Sequence, residues 1–265
     1  MTNEIEAILR LSSFVGVLAV MLVWELAAPR RKLSRQRLGR WMANLGLVFL
    51  NTFLLRISLG AFAVTSAIYA NNAGLGLFNW LQLPALVVLI LSVVVLDVAI
   101  YWQHRLFHIV PLFWRLHRLH HADVDFDTTT GVRFHPVEIF LSMLIKAALV
   151  MALGAPVMAV VVFEILLSAT SLFNHGNVKI PLPVERWLRI LLVTPDMHRI
   201  HHSVIRQETD SNFGFSVPWW DFLFASYCAE PQAGQDEMEI GLPILRDKIE
   251  NRFDKLLTQP FRRPD

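Results

Sequence analysis

The chain has 265 residues, 54% of them hydrophobic and only 17% charged, with a mean hydropathy of +0.46. Ordinary soluble domains carry about 25% charged residues, so the composition excludes that class and points to an integral membrane protein built as one unit. A formal charge of +2, from 24 Lys plus Arg against 22 Asp plus Glu, offers no basic field for nucleic acid. The single cysteine, Cys228, excludes an internal disulfide framework and any multi-cysteine zinc or iron–sulfur site.

Taken in chain order, residues 11–28 form a first apolar span whose only charge is Glu25. Glu4 and Glu6 precede it, and the run is longer than the core of a cleavable signal peptide, which argues against that alternative. Residues 29–40 then carry Arg30, Arg31, Lys32, Arg35, Arg37 and Arg40 with no acid, which places this short loop on the cytoplasmic side. Contact with anionic headgroups is compatible with that position. From Ile57 to Leu96 there is no charge, and the uncharged tip at 71–80 divides the region into two spans, at about 43–70 and 81–103. Arg56 falls inside the second span, where pairing with a buried acid is the favoured expectation and a headgroup contact the other. Crossing three times returns the chain to the cytoplasmic side near residue 103.

A further apolar region, 139–173, is broken by Gly154-Ala155-Pro156 and reads as a helical hairpin that enters the membrane and returns, so its two ends lie on the same side. Beyond Asn174 the chain is amphipathic, with Trp and Phe in FGFSVPWWDFLF suited to headgroup depth. The expectation is therefore an all-α membrane protein. Its parts are transmembrane helices over 1–103, a histidine-rich helical domain over 104–228 that includes the apolar hairpin 137–173, and a charged cytosolic tail over 229–265 with one helix near 243–258.

All ten histidines lie between residues 104 and 202. HRLFH places His104 and His108 at i, i+4. HRLHH places His117, His120 and His121 at i, i+3, i+4, and HRIHH repeats that spacing with His198, His201 and His202. On a helix each set shares one face. His135 and His175 flank the hairpin, so topology brings them to the same surface. Neutral imidazole suits iron, zinc, copper or nickel, and a rigid helix presents such pairs to one ion. One ion takes four to six ligands, so eight to ten histidines exceed one site and fit two metals. A pH-sensing patch is the weaker reading, because protonated rings crowded together repel. Of the nearby carboxylates, Asp97, Glu138 and Asp196 are candidates to orient the second ring nitrogen, with Asp97 placed best because 97, 101, 104 and 108 share a helix face. Asp123, Asp125 and Asp127 are read equally well as a solvated loop. Nucleophilic catalysis has no support, since no G-x-S-x-G occurs and Cys228 is remote from the histidines.

The ordered boxes HRLFH, HRLHH, RFHPVE, FNHGN, TPDMHRIHHS and ETDSNFGFSVPWWDFLFASY closely resemble the sterol desaturase and fatty acid hydroxylase superfamily of membrane di-iron enzymes, over roughly residues 80–228. The resemblance implies an oxygenase that activates dioxygen at two iron ions on the cytosolic face and oxidises a C–H bond of a lipid. It implies His104, His108, His117, His120, His121, His175, His198, His201 and His202 as ligands, with His135 in a supporting role. Many relatives read W-D-x-L-F-G-T where this chain has Trp220-Asp221-Phe222-Leu223-Phe224-Ala225-Ser226, a departure expected to alter packing rather than chemistry. Hydroxylation is the expected reaction and desaturation the alternative with the same metals, since the two differ in substrate geometry. No dinucleotide fingerprint, heme or flavin module is evident, so an external electron donor, a ferredoxin or a b-type cytochrome with its reductase, is implied. The basic loop at 30–40 is one candidate dock, although topology alone explains its charge. The rival from another class is a non-catalytic metal-binding or transport protein, which would want its ligands near the bilayer midplane.

Overall fold

A computed structural model describes residues 3–262, with side chains from Ile5 onward, so the side chain of Glu4 and the last three residues of the tail lie outside the described part. The described residues are helical, with two isolated antiparallel bridges, Pro29 to Val178 and Ser203 to Ile240, and no strand. Long apolar segments make α1 (Asn3–Ala27), α2 (Arg37–Ser58), α3 (Phe62–Asn72), α4 (Leu77–Leu81) and α5 (Ala85–Ile109). They are followed by α6 (Pro111–His121), α7 (Pro136–Leu153), α8 (Val157–Asn174), α9 (Leu182–Leu191) and α10 (Pro195–His201).

Five stretches among the described residues are long and apolar enough to cross a membrane: Ile5–Ala27, Arg37–Leu81, Ala85–Ile109 and the two hairpin arms Pro136–Leu153 and Val157–Asn174. Their outer faces expose large apolar side chains, among them Leu11, Val20, Phe49 and Leu86, where a soluble protein would place charges. The second stretch is not the single continuous span expected over 43–70. Gly60 takes φ +58, the amides of Leu59 and Gly60 both bond to the carbonyl of Leu55, and α2 ends there; the chain resumes as α3. Arg56 is exposed and makes no ion pair with the described residues, so the expected pairing with a buried acid is not found among them.

Small residues let α3 lie close against the hairpin: Ala63 and Ala67 pack with Val150, Ala155 and Val160 in one apolar cluster that also takes in Leu96 of α5. Gly154, at φ +67, closes α7 and permits the hairpin turn. A side chain at Gly76 would sit 2.1 Å from the amide nitrogen of Gly154, so the tip at 71–80 rests directly on that turn. This end of the hairpin is remote from residues 135 and 175.

At the opposite end the loops are tied together by buried polar contacts. Glu25, closing α1, accepts from the amides of Thr128 and Asn177, each at 2.7 Å. Arg40 is buried among Asp123, Asp127 and Thr130, with Nε 2.9 Å and Nη2 2.7 Å from the Asp123 carboxylate. Burial alone would push the Asp123 carboxyl up, but Arg40 and Arg133 hold it down at about 2. Asp125 accepts from the amides of Ser34 and Arg35. The aspartate run is therefore neither a solvated loop nor a support for imidazoles; it clamps the basic loop. The tail is not an appendage either. Its helix spans only Phe253–Thr258, after a 3-10 turn at Lys248–Asn251, and Leu256 is fully buried against Ala43, Leu47 and Leu119.

Candidate metal centre

Three short sequence devices position the histidine-bearing helices. Val110 ends α5 and serves as N-cap of α6, whose first residue is Pro111, so the chain bends there and HRLFH and HRLHH face each other. Thr194 caps α10 ahead of Pro195 and launches HRIHH as a single short helix. His175 stands at the C-terminal cap of α8. Beside it Gly131 has no room for a side chain: a Cβ there would lie 2.6 Å from the carbonyl of Ser171 and 3.0 Å from His175 Nδ1.

The result is two groups of buried rings. His104, His108, His117, His121 and His201 present nitrogens within 4.8 Å of one another, and His120, His175, His198 and His202 do the same. The i, i+4 pairs 117/121 and 198/202 each serve one group, while 120 and 201, offset around their helices, serve the other. The groups share a wall where His121 and His202 stack with centroids 4.4 Å apart.

The outer nitrogens of several rings are fixed by acceptors. Nδ1 of His104 donates to the carbonyl of Phe213 at 2.8 Å, that of His117 to Glu138 at 2.7 Å, that of His201 to the carbonyl of Ser211 at 2.7 Å, and that of His175 to the carbonyl of Ser171 at 2.8 Å. Nδ1 of His108 lies 3.4 Å from Asp210. A ring that donates through Nδ1 keeps a bare lone pair at Nε2. Nε2 of His104, His108, His117 and His201 is buried with no hydrogen-bond partner, as are both nitrogens of His121 and His202. In the second group Nε2 of His175 lies 3.1 Å from Nε2 of His120 and of His198. Burial holds His117 and His175 down at about 3, so both rings are neutral at pH 7. Converging neutral lone pairs, each costly to bury unpaired, are what a cation requires of its ligands. The residues present therefore fit two metal ions, one per group.

Of the four residues expected to support the histidines, only Glu138 touches a ring of either group. Asp97 lies about 10 Å along the helix from His104 at 1.5 Å per residue, and accepts instead from Trp220 Nε1 at 2.7 Å. Asp196 pairs with Arg199 and Arg30. His135 caps α7, accepting from the amide of Val137, and donates from Nε2 to the carbonyl of Leu257, so it joins neither group. Replacing Glu138 by alanine is expected to weaken metal affinity by about 10- to 100-fold, measured by competition with a chromophoric chelator; unchanged affinity would contradict the role of this carboxylate.

Residues that the sequence did not single out complete the support. Asp221 accepts from the amides of Phe213 and Gly214, each at 2.8 Å, and bonds the hydroxyl of Ser226 at 2.7 Å, which in turn meets Tyr101. This frame holds the Phe213 carbonyl against His104. The signal was available in the WWDFLFAS box. Ser226 supplies the hydroxyl, while Ala225 takes φ +54, a region that favours glycine. Ala225→Gly is therefore expected to raise stability by about 1 kcal/mol, read as a higher unfolding midpoint in detergent; an unchanged or lower midpoint would count against the strain.

A cavity of about 330 Å³ opens from His104 and His117 and extends between α2, α5, α7 and α8. Its walls are mainly apolar, including Val48, Leu55, Ile100, Phe107, Leu167 and Phe215.

Residues 89–226 match the family model described as fatty acid hydroxylase. Among curated proteins, the chain is 27% identical to an ornithine lipid hydroxylase of Rhizobium tropici over 183 residues, 69% of this chain and 53% of that protein. It is 28% identical to alkylglycerol monooxygenase of Homo sapiens over 139 residues, 51% of this chain and 29% of that protein. To a very-long-chain aldehyde decarbonylase of Oryza sativa it is 25% identical over 158 residues, 55% of this chain and 24% of that protein. The chain thus spans about half the length of the first of these relatives and a smaller share of the others. No solved structure matches it.

Proposed function

We propose, from the premise that the chain belongs to the fatty acid hydroxylase family, that it is a membrane-bound di-iron oxygenase that hydroxylates a C–H bond of a lipid. The observation that carries this reading is the meeting of the first imidazole group with the apolar cavity: His104 and His117 belong to both. Two redox-active ions would supply dioxygen activation there. The chain supplies the rest. Nine histidines hold the ions, with Glu138 and the carbonyls of Phe213, Ser211 and Ser171 fixing ring orientation. Phe134 stacks on His120 at 4.5 Å and Phe126 on His175 at 5.4 Å, covering the second group with apolar surface that keeps water from it. The cavity holds the alkyl chain and brings one carbon to the metal end.

The histidine end is assigned to the cytoplasmic face because the arginine-rich loop lies on it, through Arg40 to Asp123 and Arg30 to Asp196. Arg30, Arg31, Arg35 and Arg40 all bond to other parts of this chain, which supports orientation rather than docking as the role of that loop. The electrons come from a separate donor, a ferredoxin or a b-type cytochrome with its reductase. The rings cluster at the ends of α5 and α8 rather than midway along the spans, which supports an interfacial reaction site over a transport path.

The test is oxidation by the iron-loaded protein with a chemical reductant and membrane lipid, followed by oxygen uptake and lipid mass spectrometry. Gain of one oxygen atom is expected. Loss of two hydrogens would convert the assignment to a desaturase, and no oxygen uptake with freely exchanging zinc would replace it with metal transport.

A further inference from the structure

The cavity carries a second polar feature at the end away from the histidines. Lys146 of α7 and Glu164 of α8 both line it, inside two helices long and apolar enough to cross a membrane, with Nζ to Oε1 at 2.5 Å and only about a tenth of each side chain exposed. Arg10 of α1 pairs with the same Glu164 and with Glu6, the latter at 2.8 Å. Two cations and two anions thus form a closed, electrically balanced set. A buried ion pair is weak as a device for stability, because well-packed apolar residues do as well. Ionisable groups inside spanning helices instead mark sites that handle a ligand or an ion.

The approach to this pair is also polar. Glu138, Ser142 and Lys146 recur at i, i+4, i+8 on α7, and Glu164, Ser168 and Ser171 at i, i+4, i+7 on α8; all six line the cavity. Glu138 holds His117. The eight-residue step from Glu138 to Lys146 is about 12 Å along the helix. One end of the cavity therefore faces the metal ligands and the other, about 12 Å away, an exposed edge of a neutral ionic cluster.

We infer that Lys146 and Glu164 form a subsite for an uncharged hydrogen-bonding group of the lipid, such as a hydroxyl, ester or amide, and so select which carbon reaches the metal end. An uncharged group can accept from the ammonium or donate to the carboxylate without disturbing the balance. A charged end would leave one charge unmatched in apolar surroundings. The inference deepens the oxygenase reading and rests on it for the reacting carbon, although binding at the subsite does not depend on turnover.

The test is photolabelling of the protein in phosphatidylcholine nanodiscs. The probes are a dodecanol, the matching dodecane and the matching dodecanoate, each bearing a diazirine at the same carbon, with labelled peptides mapped over residues 138–171. The wild-type protein should label about tenfold more with the alcohol than with the alkane or the carboxylate, and unlabelled dodecanol should compete. In Lys146→Leu/Glu164→Leu, where Arg10 and Glu6 still balance each other, that advantage should vanish while alkane labelling persists. Equal labelling by alcohol and alkane in the wild type, or an advantage that survives the double substitution, would overturn the subsite. Preferential labelling by a protein that, once iron-loaded and given a chemical reductant, takes up no oxygen with membrane lipid would remove the oxygenase reading and leave the subsite standing.

Discussion

Replacing His120 by alanine is expected to abolish lipid oxidation, by at least about 100-fold, while the protein still inserts and folds. His120 belongs to the four-ring group, its Nε2 lies 3.1 Å from that of His175, and its ring contacts His202 at 4.6 Å. Only three imidazoles would remain for the ion in that group, whereas the five-ring group keeps every ligand. Losing one ring on the end of α6 leaves the helix itself intact, because Leu119 packs independently against Ala43, Leu47 and Leu256. Metal analysis and turnover should therefore fall together in a way that separates the groups: one ion retained, oxidation lost. Full activity in this variant would remove the assignment of the second group.

Arg40→Ala is expected to cost about 3–5 kcal/mol of stability, because deleting one partner of a buried ionic cluster strands the others. Asp123 and Asp127 are both fully buried, and the next cation, Arg133, stands 4.0 Å from Asp123. Arg133 is committed elsewhere, to the carbonyl of Leu119 and to Asn44 and Asn251. Total stabilities of about 5–15 kcal/mol make a loss of this size visible as a large drop in unfolding temperature. A change below about 1 kcal/mol, the range of exposed ion pairs, would show that the cluster is solvated after all.

These two residues also mark what the sequence discloses and what it conceals. Eight of the nine histidines come together because i, i+3 and i, i+4 spacings are local geometry that a helix delivers regardless of context, and His175 joins them through the hairpin. The hairpin is legible for the same reason: an apolar run interrupted by Gly-Ala-Pro has one reasonable fold. Arg40 and Asp123 lie 83 positions apart, and nothing in either segment announces its partner. The aspartate run therefore reads as well for a solvated loop as for a support of the imidazoles, although its three carboxylates are buried against the basic loop. Asp97 shows the converse. Its helix face was read correctly, but face does not fix depth, and Trp220, 123 residues away, takes the carboxylate. The tail read as an appendage because its composition is charged, yet Leu256 and the backbone carbonyls of Leu257, Gln259, Pro260 and Arg262 secure it to α2, α6 and His135, and Met238 and Ile240 pack on Phe126. The break at Gly60 was likewise hidden inside an uninterrupted apolar run.

The most direct measurement is the metal content of the purified protein after loading with ferrous iron and removal of excess by gel filtration. Two ions per chain are predicted, falling to one in the His120→Ala variant. A wild-type value of one or none would contradict the paired site.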